Sequence, residues 1–262
     1  MPEMKEYPPG TFCWVDLGTT DAEAAKEFYG EVFGWEFDDR PVGEGVIYTM
    51  IQHKGKDVAA LWEMPEEMTS QGIPTHWLSY VSVTSADEIV RLATELGAEI
   101  PQEPFDVYDV GRMAVLRDPT GAVLALWQPK DHMGAALVNE PGCFCWNELG
   151  TKDVGKASEF YTRLFGWGTK TQKSGEMEYT SLMNGDSPAG GMYALPDELS
   201  HVPSTWLVYF AVDDCDKAAK KIESLGGDVV SPPKDIPGVG RFAVAQDPQG
   251  GHFAFIKLEN PA

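Results

Sequence analysis

Two segments of the chain repeat an aromatic residue and a carboxylate two positions apart. Trp14 precedes Asp16 in one segment, and Trp146 precedes Glu148 in the other. Both segments alternate like half-buried β-strands, so each pair points to one face of its strand. A carboxylate beside an aromatic side chain on the inner face of a strand is a candidate general base. The alternative is structural: each carboxylate holds the backbone or an arginine of the neighbouring strand.

The second segment has further acid–base groups within predicted reach. Counting back along the strand from a later Asp-Pro-x-Gly turn places Arg241 on the same inner face, and His252 begins the next strand. Glutamate and histidine are common proton carriers, and arginine clamps carbonyl or anionic oxygens. We therefore predict Glu148, His252 and Arg241 as the catalytic residues. A structural Arg–carboxylate pair and a solvated histidine remain the alternatives.

The same face counting predicts the residues that line the ligand site. Small residues such as Ala125 and Ala254 leave room beneath the aromatic side chains, which suggests an apolar pocket for a flat or bulky molecule. The opposite reading is that the tryptophans fill this space. The predicted ligand-binding residues are Trp14, Asp16, His76, Tyr80, Arg112, Trp146 and Tyr209.

The elements that position these residues occur twice in the chain. Residues 12–35 (FCWVDLGTTDAEAAKEFYGEVFGW) match residues 144–167 (FCWNELGTKDVGKASEFYTRLFGW), and VGRMAVLRDPTG matches VGRFAVAQDPQG further on. The repeat predicts two domains, residues 1–131 and 132–262. Within each half, a strand, a helix and several short strands occur twice. The fold class is therefore α+β, with four βαβββ modules.

Local signals support this order. Asp21 and Asp153 are typical helix N-caps, apolar residues follow at helical spacing, and Gly34 is a natural C-cap. A small sheet with one helix buries only one face, so two modules must join their sheets, with the helices outside. The inner faces then line a cleft, where a ligand would bind. On alternation, Phe12 and Phe144 face the cleft, while Cys143 and Cys145 face the helices.

The motif Phe-Tyr-x-x-x-Phe-Gly-Trp, with Asp-Pro-x-Gly near each module end, resembles the vicinal oxygen chelate superfamily. This superfamily includes glyoxalase I, extradiol dioxygenases and the fosfomycin and bleomycin resistance proteins. The resemblance covers nearly the whole chain and is greatest to two-domain, glyoxalase-like proteins of actinobacteria. It implies two glyoxalase-like domains with curled mixed sheets and outer helices. It does not imply one function, because the fold hosts both catalysis and binding.

The resemblance also implies a divalent metal held by His and Glu on the inner faces of the strands. Residue by residue, those positions fall on side chains that cannot donate a lone pair to a metal. They are Trp14, Leu78, Ala125 and a position near Leu61 in the first half, and Trp146, Leu207, Ala254 and Gly191 in the second. We therefore predict no metal site and no cofactor.

Composition limits the partners. The net charge is −21, which disfavours nucleic acid and anionic membranes. There is no long apolar run and no visible leader, and four cysteines do not make a disulfide scaffold. We expect a cytoplasmic protein, monomeric or homodimeric, whose partner is a small molecule.

These observations favour a metal-independent enzyme of lyase, isomerase or hydroxylase-like type acting on a small carbonyl or aromatic metabolite. One alternative is a binding or sequestration protein like the resistance proteins. The other is glyoxalase-like detoxification of dicarbonyls. The identity of the ligand, and which domain carries the site, stay open.

Overall fold

Each copy of the sequence repeat folds into an eight-stranded sheet, so the repeat in sequence is a repeat in structure. The computed structural model describes residues 3–43, 45–174, 177–199 and 201–259. The first sheet is formed by β1 (Phe12–Thr19), β2 (Glu36–Gly43), β3 (Val46–His53), β4 (Lys56–Glu63), β5 (His76–Ser82), β6 (Glu99–Val107), β7 (Gly111–Arg117) and β8 (Val123–Pro129).

The second sheet repeats this set in the same order. Its strands are β9 (Phe144–Thr151), β10 (Gly168–Ser174), β11 (Met177–Asn184), β12 (Ser187–Ala194), β13 (Thr205–Ala211), β14 (Asp228–Ile236), β15 (Gly240–Gln246) and β16 (His252–Leu258). The helices are α1 (Ala22–Phe33), α2 (Glu66–Ser70), α3 (Ala86–Glu95), α4 (Val154–Phe165) and α5 (Cys215–Ser224), with one 3-10 turn at Asp197–Leu199.

The two βαβββ modules of each half join edge to edge. The first sheet has the order β2-β3-β4-β1-β5-β8-β7-β6, and the second has the equivalent order. The central strands β1 and β5 are antiparallel, whereas β4 pairs with β1 and β8 pairs with β5 in parallel. The predicted fold class, four modules in two mixed sheets with outer helices, is confirmed.

The predicted helix ends are also confirmed. The Asp21 side chain accepts a hydrogen bond from the backbone N–H of Ala24, and Asp153 accepts one from Lys156. Both caps satisfy a donor that the helix itself leaves unpaired. Gly34 ends α1 at φ 70°, a left-handed conformation that glycine adopts without steric cost.

The two halves pack through their helix-bearing faces, with α1 against α5, α3 against α4 and β5 against β13. The Tyr29 hydroxyl of α1 donates to Asp247 Oδ2 in the second half over 2.8 Å and accepts from Trp77 Nε1 over 3.0 Å. The copy is equivalent: Tyr161 donates to Asp118 over 2.8 Å and accepts from Trp206 over 2.8 Å. The two repeated motifs therefore meet across the interface and hold the halves together.

The opposite face of each sheet is concave. In the first sheet the curl brings the ends of the edge hairpins together, because the Tyr108 hydroxyl donates to the backbone oxygen of Val42. All four cysteines are free. In the described part of the chain, no helix has the length and apolar character needed to cross a membrane.

Candidate active site

The concave face of the first sheet is built around the carboxylate of Asp16. Tyr80 on β5 donates to Asp16 Oδ2 over 2.7 Å, and Tyr48 on β3 donates to the same oxygen over 3.0 Å. Trp14 Nε1 in turn donates to the Tyr48 hydroxyl over 3.1 Å. Side chains from β1, β3 and β5 thus converge on one carboxylate.

The segment that joins the two halves covers this cluster. The His132 ring lies edge-on to the Trp14 ring, with centroids 4.6 Å apart, and its backbone oxygen accepts from Trp127 Nε1. The backbone N–H of Ala135 donates to the oxygen of Cys13 over 2.8 Å. As a result Trp14 is only 4% exposed and Asp16 only 3% exposed.

The second sheet repeats the cluster around a longer carboxylate. Tyr209 on β13 donates to Glu148 Oε2 over 2.7 Å, and the Tyr179 hydroxyl on β11 lies near enough to this carboxyl group to lower its pKa. Trp146 Nε1 donates to the Tyr179 hydroxyl over 2.9 Å. Both Trp146 and Glu148 are only partly buried, so the second cluster is accessible where the first is covered.

A glycine makes room for the second cluster. Gly191 on β12 pairs directly with Glu148, and a Cβ atom added to it would lie 1.9 Å from the Tyr179 hydroxyl oxygen. The equivalent residue of the first sheet is Ala60, which pairs with Asp16. The absence of a side chain at residue 191 thus lets Tyr179 approach the sheet.

Replacing Gly191 with Ala should displace the Tyr179 ring and break its bonds to Glu148 and Trp146. We expect the free energy of unfolding to fall by about 1–3 kcal/mol, as for other overpacked sites. Urea unfolding measures the change. Gly168→Ala is the control, since its Cβ would be 3.8 Å from Met183. Equal free energies of unfolding for Gly191→Ala and Gly168→Ala would contradict the close approach of Tyr179 to Gly191.

Burial controls the electrostatics of both clusters. Desolvation raises the pKa of Asp16, and the hydrogen bonds from Tyr80 and Tyr48 oppose this shift. Desolvation likewise raises the pKa of Glu148, against hydrogen bonds from Tyr209 and Tyr179 and the charge of Lys234. Burial and Glu148 also raise the pKa of the nearby Tyr193 to about 12. Glu148 is therefore a carboxyl group that gains a proton more readily than usual.

The residues of neither cluster fit a metal ion. Trp14 and Trp146 occupy the first predicted ligand position, and β4 presents Ala60 rather than Leu61 to the cleft because Ala60 pairs with Asp16. Within the described ranges, no group of three His, Cys, Asp or Glu residues could hold a metal. Asp16 and Glu148 each face tyrosine hydroxyls and an indole, which are poor metal ligands.

The predicted placement of the two arginines is wrong. Val115 and Val244 pair with Ala125 and Ala254, so these valines share the concave face and the arginines point to the other face. Arg112 pairs with Asp87 of α3 over 2.7 Å, and Arg241 pairs with Asp216 of α5 over 2.8 Å. The expected grouping of Glu148, Arg241 and His252 therefore does not form.

A second error of register affects the start of β1 and β9. An irregularity in the pairing falls between Phe12 and Trp14 and again opposite Tyr209 and Phe210. It turns Phe12 to the domain interface, where its ring lies 5.1 Å from Trp206. Phe144 joins the same core, whereas Cys145 packs with the cleft residues around Tyr209. A β-bulge adds one residue and reverses the alternation, which explains both outcomes.

The two histidines lie at the edges of the clefts. His76 pairs with Gly18 and lies close enough to Asp16 to affect its pKa, while its Nδ1 contacts the Pro74 oxygen over 2.8 Å. His252 shares the concave face with Ala254 but is exposed. In the part of the chain that is described, no hydrogen bond joins His252 to Glu148.

An open surface groove of about 620 Å³ lies outside both clefts, between α1 and the turn at Pro248. Its cation Lys26 is already paired with Glu23 and Asp39. Gln249 Oε1 in its lining is buried without a hydrogen-bond partner, but among the described lining residues the carboxyl groups, those of Glu27 and Glu31, are exposed. The concave faces are therefore the better candidates for chemistry.

Several residues of the site were not predicted from the sequence. Tyr48 and Tyr179 bind the two carboxylates, His132 covers the first cleft, and Lys234 and Tyr193 lie near Glu148. A signal for the tyrosines existed, because Tyr48-Thr49 and Tyr179-Thr180 occupy equivalent places in the two halves. No such repeat marks His132 or Lys234.

Comparisons with known proteins agree with this fold. The model of the Glyoxalase/Bleomycin resistance protein/Dioxygenase superfamily matches residues 11–126 and 144–255. The chain is 44% identical over 98% of both sequences to "Putative glyoxylase CFP32" of Mycobacterium tuberculosis. It is 33% identical to the anthracycline biosynthesis protein DnrV of Streptomyces peucetius, covering 97% of this chain and 96% of that protein.

Solved structures show the same fold at low identity. A Mn(II)-bound glyoxalase from Novosphingobium aromaticivorans matches with a TM-score of 0.65 and 18% identity, over 97% of this chain and 86% of that one. The 2,2',3-trihydroxybiphenyl 1,2-dioxygenase of Sphingomonas wittichii matches with a TM-score of 0.64 and 12% identity, over 95% and 91%. At these identities the likeness concerns the fold alone.

Proposed function

The chain belongs to the Glyoxalase/Bleomycin resistance protein/Dioxygenase superfamily, and on this premise we propose that its second cleft binds a small aromatic or carbonyl compound and acts on it by metal-independent acid–base chemistry. Glu148 is the proposed base, and Tyr179 and Tyr209 are its proposed partners. Trp146 is proposed to hold one face of the ligand. The proposal sets aside Arg241 and His252 as direct partners of Glu148.

One observation carries the proposal: a partly accessible carboxyl group lies in an aromatic cleft, held by the Tyr209 hydroxyl with the Tyr179 hydroxyl nearby. Its raised pKa makes Glu148 a stronger base than an ordinary glutamate, suited to take a proton from a substrate carbon and return it to another substrate atom. Removal of a proton next to a carbonyl fits this arrangement: once Glu148 has taken that proton and lost its charge, the Tyr209 O–H can leave the carboxyl group and donate to the substrate oxygen that becomes negative. The overall reaction is then an isomerisation or an elimination.

The names of the relatives support the choice of ligand class. A glyoxylase acts on small carbonyl compounds, and anthracyclines are built on flat, fused aromatic rings. Aromatic walls with a few polar groups suit either compound. Metal-dependent dicarbonyl chemistry is not favoured, since the cleft residues do not fit a metal.

A binding function without chemistry is the second candidate. It is favoured by the hydrogen bonds that already occupy the Glu148 carboxylate in the free protein. A carboxylate that keeps both tyrosines would anchor a ligand rather than move its proton. The two functions differ in whether the ligand is returned unchanged.

Deuterium uptake by 2-tetralone and anthrone, two aromatic ketones with enolisable carbons, tests the proposal. With EDTA present in D₂O, we expect the protein to accelerate exchange of the C–H bonds next to the carbonyl above the buffer rate. Mass spectrometry measures the uptake. Exchange that disappears with EDTA and returns with Mn²⁺ would contradict a metal-independent site. A raised melting temperature with unchanged ketone would favour the binding function.

A further inference from the structure

A lysine without an acidic partner faces the accessible cleft. Lys234 on β14 pairs with Phe242 on β15, and its Nζ lies 4.8 Å from the centre of the Phe242 ring. The residue is exposed. In the described ranges no carboxylate forms a salt bridge with Lys234. Its charge is therefore available to a ligand.

Lys234 and the partly buried carboxyl group of Glu148 lie at two ends of one aromatic surface. The Phe242 ring is 6.0 Å from the Tyr209 ring, and Tyr209 donates to Glu148 over 2.7 Å. Phe242 and Tyr209 are 9% and 4% exposed, so they form a rigid floor. An aromatic ligand on this floor would reach Glu148 with one end and Lys234 with the other.

The first domain lacks this cation. Phe105 occupies the place of Lys234, opposite Met113, and its cleft is covered by His132. The fold therefore does not need a lysine at this position. The cation occurs in the cleft whose carboxyl group is accessible, in a protein with a net charge of −21 that repels anions in general. A free cation in such a protein marks a local attraction for negative charge.

We propose that the second cleft selects aromatic compounds that carry an anionic group, with Lys234 binding the anion and Phe242 and Tyr209 binding the ring. This rests on the proposed function and narrows its substrate to aromatic acids. Lys234 is then a specificity-determining residue that does not take part in proton transfer.

Two fluorescent probes that differ in one group test the inference. 8-Anilino-1-naphthalenesulfonate carries a sulfonate, and N-phenyl-1-naphthylamine is the same ring system without it. We expect Lys234→Gln to weaken binding of the sulfonate probe about fivefold and to leave the neutral probe within about twofold. Salt should weaken sulfonate binding to the wild type and have less effect on the variant.

Lys257→Gln is the matched control, because Lys257 is exposed on the same sheet but lies on the opposite face, where Arg241 is its neighbour on the adjacent strand. It removes the same charge and should change neither affinity. Equal losses for both probes in Lys234→Gln would overturn the inference, as would unchanged affinities. The outcome is independent of the ketone exchange experiment. If the wild-type protein does not accelerate ketone exchange but Lys234→Gln still weakens only the sulfonate probe, the acid–base chemistry alone is refuted.

Discussion

Replacing Tyr161 with Phe should lower the free energy of unfolding by about 2–4 kcal/mol, although it removes a single oxygen atom. The hydroxyl is fully buried between the two halves, where it donates to Asp118 and accepts from Trp206. Its loss leaves a buried carboxylate oxygen and a buried indole N–H without partners. Such groups cost more than the hydrogen bond itself contributes. Tyr29→Phe should behave alike, because its contacts are equivalent.

Thermal and urea unfolding measure this effect. A loss of this size corresponds to a melting temperature about 4–16 °C lower for a chain of this length. Tyr108→Phe is the control, because its hydroxyl also donates a hydrogen bond, here to the backbone oxygen of Val42, but the residue is 64% exposed. We expect that variant to stay within about 0.5 kcal/mol of the wild type. If Tyr161→Phe were equally mild, the interface contact would not stabilise the pairing of the halves.

The fold was predictable because its signals are local and occur twice. Asp21 and Asp153 cap equivalent helices, and the two Asp-Pro-x-Gly turns close equivalent hairpins. Agreement between copies removes the ambiguity of a single short strand. The boundary between residues 131 and 132 stays a prediction, since the segment between β8 and β9 packs on the first sheet.

The site was less predictable because it depends on strand register. One irregular residue before Trp14 turns Phe12 to the other face. A one-residue error across the β7–β8 and β15–β16 hairpins misplaced Arg112 and Arg241. Trp14, Asp16 and Tyr80 do come together, as do Trp146, Glu148 and Tyr209. All six residues lie on central strands. The residues on β1 and β9 follow the bulge, so the alternation of side chains between the two faces of the sheet holds for them.

The difference between the two clefts arises from contacts that are distant in sequence. His132 covers Trp14 because the joining segment runs back across β1, with Ala135 bonded to Cys13. Periodicity within a strand contains no information about such a path. Sequence alone therefore left open which domain carries the site, whereas the structure has one covered cleft and one accessible cleft.

Glu148→Gln should lower the rate of ketone exchange by a factor of about 10² to 10⁴, the usual contribution of a positioned general base. Glutamine keeps an oxygen to accept from Tyr209 and Tyr179, so the aromatic cleft should retain its shape and its ligand affinity. The measurement compares the exchange rate of each protein with its affinity for the same ketone. A variant that exchanges protons at the wild-type rate would exclude Glu148 as the base.

The pH dependence gives a second readout with a defined sign. Burial raises the pKa of Glu148, so the wild-type rate should fall as pH drops through a value above that of an ordinary glutamate. The folded state also holds this proton more tightly than the unfolded chain. Stability from this group should therefore decline as pH rises between the two pKa values, and Glu148→Gln should remove that decline.

Asp16, the equivalent carboxyl group of the first cleft, tests which cleft is active. Asp16→Asn changes the same kind of carboxyl group, held by Tyr48 and Tyr80, under the cover of His132. Because a ligand must displace the joining segment to reach Asp16, we expect this change to lower stability while the exchange rate stays within about threefold. The reverse pattern, with exchange lost in Asp16→Asn and kept in Glu148→Gln, would place the chemistry in the first cleft. It would also require His132 and Ala135 to move away before the substrate binds.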